Sequence, residues 1–261
     1  MRKLALLFIV LSCRSVFGWG NEGHRLVIRI AEGMLSAEAR AQVQATLAPG
    51  EALVDFATWA DEVRKVRKET EPWHFIDIPI SSAGLNMQRD CPQNNCVIAK
   101  IADFRKAWRD PAVSPADRRE ALLFLIHFVG DMHQPLHCAD NNDHGGNDLM
   151  VRFLGEQTKL HSLWDSGLLA HMPAEDQLFA TLSQAITPER KAEWSSGTVE
   201  QWCNESFQIA KRTVYGLLPP ADDTGQVEAG RSYQSMAEPV VELQLEKAGV
   251  RLAAVLNESV R

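Results

Sequence analysis

This sequence predicts an all-α protein, and three features predict it. Apolar residues recur at three-to-four spacing over most of the chain. Short Ser, Pro and Gly signals separate those stretches, and strand-like character is best developed only at Met150–Leu154. Composition agrees: of 261 residues, 45% are hydrophobic and 23% charged, a globular balance that excludes a disordered or low-complexity chain. No repeat and no Gly-, Ser- or Pro-rich linker divides it, so one helical domain is expected over residues 19–261.

The first 18 residues read differently. Arg2 and Lys3 precede the apolar run Leu4–Leu11, which is too short to span a bilayer, and Val16-Phe17-Gly18 fits the end of a cleavage site. A secretory signal cut between Gly18 and Trp19 is expected, which makes the protein secreted or periplasmic; Leu11-Ser12-Cys13 is a looser, lipoprotein-like alternative. No other stretch reaches the ~18 apolar residues of a membrane span. Cleavage removes Arg2, Lys3 and Arg14 but no acid, so the net charge of −7 falls to −10. So acidic a chain lacks the broad basic face of a typical nucleic-acid binder, and any phosphate site must carry its own local positive charge.

The elements follow in order. Leu26, Val27, Ile30, Ala31 and Met34 share one face of a helix over 22–35. Ser36 caps a second helix that runs to about Leu47 and stops at Pro49-Gly50. Residues 51–70 read as a third helix and 76–97 as irregular. There Cys91 and Cys96 bracket a Pro/Asn-rich loop, which suggests a disulfide in an exported protein. Residues 98–109 are helical, and Ser114-Pro115 opens a longer helix that ends at Gln134 before Pro135. A polar loop spans 139–150, and Met150–Leu154 reads as a hairpin arm. Helices are then expected over 160–171, 175–186, 198–216 and 228–257, the last with Pro239 near its start. Cys138 and Cys203 form a second bridge or stay as two buried thiols; both readings stand.

Chemistry is signalled by the company of the eight histidines. His127-x-x-x-Asp131 and His161-x-x-x-Asp165 each place an imidazole and a carboxylate one turn apart on one helix face, a common donor set for Zn2+. Leu122, Leu125, Ile126 and Val129 surround the first pair with apolar surface, where a lone carboxylate is costly to bury. His137 lies just beyond Pro135, Asp61 sits amid helix in Ala57-Thr-Trp-Ala-Asp-Glu-Val-Arg64, and His74 follows in Trp73-His-Phe-Ile-Asp77. Cleavage before Trp19 frees an amine that, with its own carbonyl and His24, can chelate a metal.

These motifs together resemble the zinc-dependent single-strand-specific nucleases of the S-one/P-one type, which also act as 3′-nucleotidases. They are more distantly similar to bacterial zinc phospholipase C. The matching residues are Trp19-Gly-x-x-Gly-His24, Trp59-Ala-Asp61-x-x-Arg64, Trp73-His74-Phe-Ile-Asp77, His127-Phe-Val-Gly-Asp131-Met-His-Gln-Pro-Leu-His137, Gly145-Gly-Asn147 and His161-x-x-x-Asp165. They stand in the family's order across about 150 residues; the last third matches only in being helical.

The resemblance implies a single helical domain around a cleft with three zinc ions. One ion would be held by Asp61, His74, His127 and Asp131. A second would be held by the Trp19 amine and carbonyl, His24 and a bridging Asp131, and a third by His137, His161 and Asp165. His133, His144 and His171 have no ligand role. Three zinc ions against three carboxylates leave the site at about +3, enough to attract a phosphodiester into an acidic protein. Asp61 and Asp131 would serve catalysis through the metals, which activate water, and Arg64 would reach the phosphoryl oxygens. Phe75 would stack on a base while Asp77 accepts from a purine N–H. Asp143 and Asn147 would line the substrate at the cleft rim. The implied substrates are single-stranded DNA and RNA, cut to 5′-nucleotides, and 3′-nucleotides; no obligate protein partner is implied. A phospholipase C is the nearest enzymatic alternative, although Asp165 stands where that relative carries Glu. A non-catalytic zinc protein would need neither Arg64 nor the rim loop.

Overall fold

The structure is a computed structural model that describes residues 19–258. The expected signal segment, residues 1–18, lies outside the described residues. Among the described residues there are eleven α-helical segments, several joined by single 3-10 or π turns, and a three-stranded sheet.

Helix α1 (Asn21–Glu32) buries Leu26, Val27, Ile30 and Ala31, as its periodicity predicts. Ser36 caps α2 (Ala37–Thr46) by accepting from the Ala39 N–H at 3.1 Å. The single helix expected over 51–70 is instead three pieces: a 3-10 turn at Leu53–Phe56, α3 (Trp59–Val66) and a 3-10 segment at Lys68–His74. Local polar chemistry makes the breaks. Asp55 accepts from the Ala52 N–H at 3.1 Å, Thr58 adopts a non-helical conformation, the Thr70 hydroxyl donates to the Arg67 carbonyl at 2.8 Å, and Pro72 lacks a donor.

Residues 76–97 are largely irregular as expected, with one short helical turn, α4 (Met87–Asp90), and a disulfide joining Cys91 to Cys96. Part of this segment is extended and pairs with the chain after α6: Ile76 N–H donates to the His137 carbonyl at 2.8 Å and Ile80 N–H to the Asp140 carbonyl at 2.8 Å. That pairing sets Phe75 and Asp77 beside His137. Helix α5 (Val97–Arg109) follows, then α6 (Pro115–His133), opened by Ser114 and Pro115 as predicted. From Ala121 to His133 every residue of α6 is buried: most are apolar and the helix runs through the core, taking His127, Asp131 and His133 with it.

Strands β1 (Met150–Phe153) and β2 (Glu156–Lys159) form the hairpin, turning at Leu154 and Gly155, both at positive φ. A third strand, β3 (Val227–Glu228), pairs parallel to β1. Residue 228 therefore belongs to the sheet, and the last helix begins three residues later than expected. The helix expected over 160–171 is a composite of α7 (Leu160–Ser162), a π turn at Leu163–Gly167 and a 3-10 turn at Leu169–His171. Helices α8 (Glu175–Ala185), α9 (Pro188–Trp194), α10 (Val199–Ile209) and α11 (Arg231–Asn257) complete the fold. Helix α9 lies where no helix is expected, although Thr187-Pro188 repeats the Ser114-Pro115 start signal: the Thr187 hydroxyl accepts from the Arg190 N–H at 3.3 Å. A π turn at Ala210–Val214 extends α10, and α11 packs along α1, with Gly249 against Ile30. The Cys138 and Cys203 thiols are buried and unbridged, 2.7 Å apart. No helix among the described residues is long and apolar enough to cross a membrane.

Candidate metal centre

Three buried groups of His and Asp side chains converge between α1, α3, α6 and the segment after β2: His24, His127 and Asp131; Asp61, His74 and His127; and His137, His161 and Asp165. The donors within each group lie within 4.8 Å of one another.

Asp131 stands at the junction of the first two groups and offers one oxygen to each side. Its Oδ1 is 3.3 Å from His24 Nε2, while its Oδ2 is 2.9 Å from His74 Nδ1 and 3.3 Å from His127 Nε2. Asp61 Oδ1 lies 3.6 Å from His127 Nε2 and 3.5 Å from Arg64 Nη2. The His24 and His127 rings stack at 4.0 Å. Gly130 permits this, since a Cβ there would come within 2.6 Å of His24 Nδ1. The ligand faces of the rings are set from behind. His127 Nδ1 donates to the Ala57 carbonyl at 2.8 Å and His137 Nδ1 to the His74 carbonyl at 2.8 Å, which leaves each Nε2 as the donor atom toward the centre. In the third group, His161 Nε2 is 3.2 Å from His137 Nε2 and 3.4 Å from Asp165 Oδ2, and Gln134 Nε2 donates to Asp165 Oδ1 at 2.6 Å.

Whether these residues fit metal ions is answered by their unsatisfied atoms. Both ring nitrogens of His24, both oxygens of Asp61, His74 Nε2, His127 Nε2 and Asp131 Oδ1 are buried with no hydrogen-bond partner. Burying so many polar atoms without partners is costly, and cations held among the Asp61 oxygens, Asp131 Oδ1, His24 Nε2 and His127 Nε2 would satisfy most of them. For His24 and His161 protonation points the same way, whereas at His127 burial is outweighed by the Asp131 and Asp61 carboxylates, which push the imidazole up. Burial, aided by His127, lowers the His24 imidazole to about 4, and burial with His137 brings His161 to about 3; both are then neutral, the form that ligates metal. Burial pushes the Asp165 carboxyl well above its ordinary range against the Gln134 hydrogen bond, so a nearby cation is what would keep it ionised. Burial also opposes ionisation of Asp131, but His127 and His137 outweigh it and hold that carboxyl well below the usual range.

The third group opens into a cleft of about 570 Å3 whose walls include Arg64, Phe75, Asp77, His137, Asn147 and His161. Phe75 is half-buried there. Asp77 stands at the mouth, partly open to solvent, and burial of its inner side together with Asp140 raises its carboxyl to about 6. A larger groove of about 810 Å3 between α5 and α10 contains none of the residues of the three His/Asp groups.

The S1/P1 Nuclease family profile matches residues 19–261. The chain is 31% identical to nuclease P1 of Penicillium citrinum, an alignment covering 92% of this chain and 97% of that one. It is 29% identical to nuclease S1 of Aspergillus oryzae over 92% and 91% of the two chains, and 30% identical to endonuclease 4 of Arabidopsis thaliana over 92% and 88%. The chain belongs to the S1/P1 nuclease family. It is a hydrolase of phosphoester bonds in nucleic acids.

With the family known, the departures from expectation carry the detail. Asp143 does not line the cleft: it is buried, and its carboxylate accepts from the Tyr215 hydroxyl at 2.9 and 3.1 Å and from the Gly146 N–H at 2.8 Å. Asn147 does line it, with its side-chain N–H donating to the His144 carbonyl at 2.9 Å and its Oδ1 buried without a partner. The Trp19 indole is wholly buried, and the chain beside it is tied to the third group through Gly20 N–H and the Asp165 carbonyl at 2.7 Å. Lys65, Lys68 and Lys159 line the cleft too and were not anticipated, because an isolated lysine reads as ordinary solvated surface on helix or strand. Gln134 and Tyr215 were also missed; their roles are contacts between distant segments and have no motif.

Proposed function

We propose that this is an exported, zinc-dependent enzyme that cuts single-stranded DNA and RNA to 5′-nucleotides and removes 3′-phosphates, with three zinc ions per chain. The observation that carries this reading is a set of three adjacent buried His/Asp groups, the third of which opens through His137 and His161 into a cleft that also presents Arg64, Phe75 and Asp77. Asp61, His74, His127 and Asp131 would hold one ion; Trp19 (through its amine and carbonyl), His24 and Asp131 a second; and His137, His161 and Asp165 a third. Bound zinc supplies Lewis acidity toward phosphoryl oxygens and makes water a nucleophile near neutral pH.

The protein's own residues do the rest. Arg64 reaches from α3 into the cleft, where its guanidinium grips the phosphoryl oxygens, and its approach to Asp61 keeps it aimed at the close pair. Phe75 offers a face for one base and Asp77 an acceptor for a purine N–H, with Asn147 across the cleft. A base stacked on Phe75 must first leave its duplex, which is a physical reason for acting on single strands. Export and removal of residues 1–18 would free the Trp19 amine, and the family match opening at Trp19 supports that start.

The decisive experiment combines metal analysis of the enzyme starting at Trp19 with assays on single-stranded DNA, RNA, a 3′-nucleotide and phosphatidylcholine. Three zinc ions, 5′-phosphate products and no lipid hydrolysis are expected. Products bearing 3′-phosphate, or a preference for the lipid, would overturn the reading. An extra residue before Trp19, which turns the amine into an amide, should cost one zinc and most activity; full activity would remove Trp19 from the ligand set.

A further inference from the structure

We propose that Tyr215 and Asp143 are positioning residues that shape the rim loop so that its backbone fixes His161 for the third metal. The inference rests on the functional reading above for the presence of that metal. Its geometry starts at His161, whose Nδ1 donates to the Gly145 carbonyl at 2.6 Å and whose backbone N–H donates to the Gly146 carbonyl at 3.1 Å. With its proton held on Nδ1, the ring presents Nε2 to the site. These contacts exist only because the loop folds tightly: Gly145 and Gly146 have φ of 61° and 82°, and a Cβ at Gly145 would stand 2.8 Å from the Leu136 carbonyl oxygen.

Two carboxylates hold that shape from inside. Asp140 Oδ1 accepts from the N–H groups of Asp143 and Gly145, each at 3.1 Å, and Asp143 Oδ1 accepts from the Gly146 N–H at 2.8 Å and the Asn141 N–H at 3.3 Å. Tyr215, 72 residues away in sequence, donates its hydroxyl to the same Asp143 carboxylate. With its oxygens engaged by these internal donors, Asp143 serves the loop rather than the substrate.

The tie continues to another ligand segment. Tyr215 follows the π turn that extends α10, where its N–H donates to the Ala210 carbonyl at 2.9 Å. That turn is held by the Tyr233 hydroxyl, which donates to the Val214 carbonyl at 2.8 Å and accepts from Trp164 Nε1 at 2.8 Å. Trp164 immediately precedes Asp165. A chain of hydrogen bonds and backbone thus starts beside one ligand of the third group, passes through Tyr233 and Tyr215, and returns through Asp143 and the rim loop to another, His161.

The test uses the mature, zinc-loaded enzyme and the variants Tyr215→Phe, Asp143→Asn and Asp143→Ala. Tyr215→Phe keeps the ring and removes only the hydroxyl. We expect it to lose one zinc at a chelator concentration about tenfold lower than wild type. Its kcat should fall with KM for a 3′-nucleotide within twofold, and added zinc should restore kcat. Asp143→Asn keeps an acceptor oxygen and should stay nearer wild type than Asp143→Ala. Equal zinc retention in Tyr215→Phe and wild type, or a loss of activity that zinc does not restore, overturns the inference. A wild-type enzyme that binds only two zinc ions overturns the functional reading, and the inference with it.

Discussion

Two buried polar clusters lie against the C-terminal half of α6, and they differ in how their atoms are satisfied. On the front side, His24, Asp61, His74, His127 and Asp131 leave seven buried atoms without a partner. On the rear side, His133 has both nitrogens engaged: Nδ1 donates to the Val129 carbonyl at 2.7 Å and Nε2 accepts from Arg251 Nη1 at 3.0 Å. Arg251 also donates to the Trp194 carbonyl at 3.1 Å and to Glu205 at 2.8 Å, and its guanidinium lies 5.1 Å from the Trp202 ring. Gln244 donates to the His133 carbonyl and to Ser206. Two residues apart on one helix, Asp131 faces a centre whose open atoms suit a metal, whereas His133 faces partners supplied by the protein, with Gln244 Oε1 the one buried atom there, among the described residues, that has none. Histidine in a buried place signals a metal only when the protein leaves its ring atoms unanswered.

That comparison can be broken most sharply at Asp131. If Asp131 bridges two ions as proposed, Asp131→Ala should remove both of them and lower turnover on single-stranded DNA about a thousandfold. Metal analysis and steady-state kinetics check it. Retention of both ions would show that the two faces differ less than their geometry implies.

The rear cluster should respond in stability rather than chemistry. Arg251→Met removes charge-assisted hydrogen bonds and should cost about 2 kcal/mol, read from the denaturant midpoint. Zinc content and the kcat of the folded enzyme should stay at wild-type values. Loss of zinc in this variant would mean that the rear cluster helps to build the front.

The smallest effect sharpens the substrate side of the cleft. Burial and Asp140 raise the Asp77 carboxyl to about 6, so it is an ionised acceptor above that pH and protonated below it. As pH falls through about 6, KM for a purine 3′-nucleotide should rise relative to a pyrimidine one, and Asp77→Asn should abolish the step. Measuring the purine-to-pyrimidine ratio cancels the acid sensitivity of the metal ligands, which both substrates share. A ratio that does not change with pH would remove Asp77 from base recognition.

The helical class, the capped starts at Ser36 and Ser114, and the His/Asp pairs on α6 and after β2 were all legible in the sequence, because they depend on neighbours within one or two turns. The broken helix between Leu53 and His74 was not. Asp55, Thr58, Thr70 and Pro72 break it by short-range chemistry that apolar periodicity does not register. The three ligand groups could be assigned from motif order, but their satisfaction could not: the Ala57 and His74 carbonyls that orient His127 and His137 become neighbours only when the chain packs. The same holds for Asp143. In sequence it looked like a polar residue on a substrate loop, and Tyr215 was an aromatic at the end of a distant helix. Local patterns are set by covalent neighbours within a few residues, whereas the partner of a buried polar atom is chosen by packing between elements. The sequence by itself therefore determined which residues could bind metal, and the tertiary structure decided which of their atoms are left to do so.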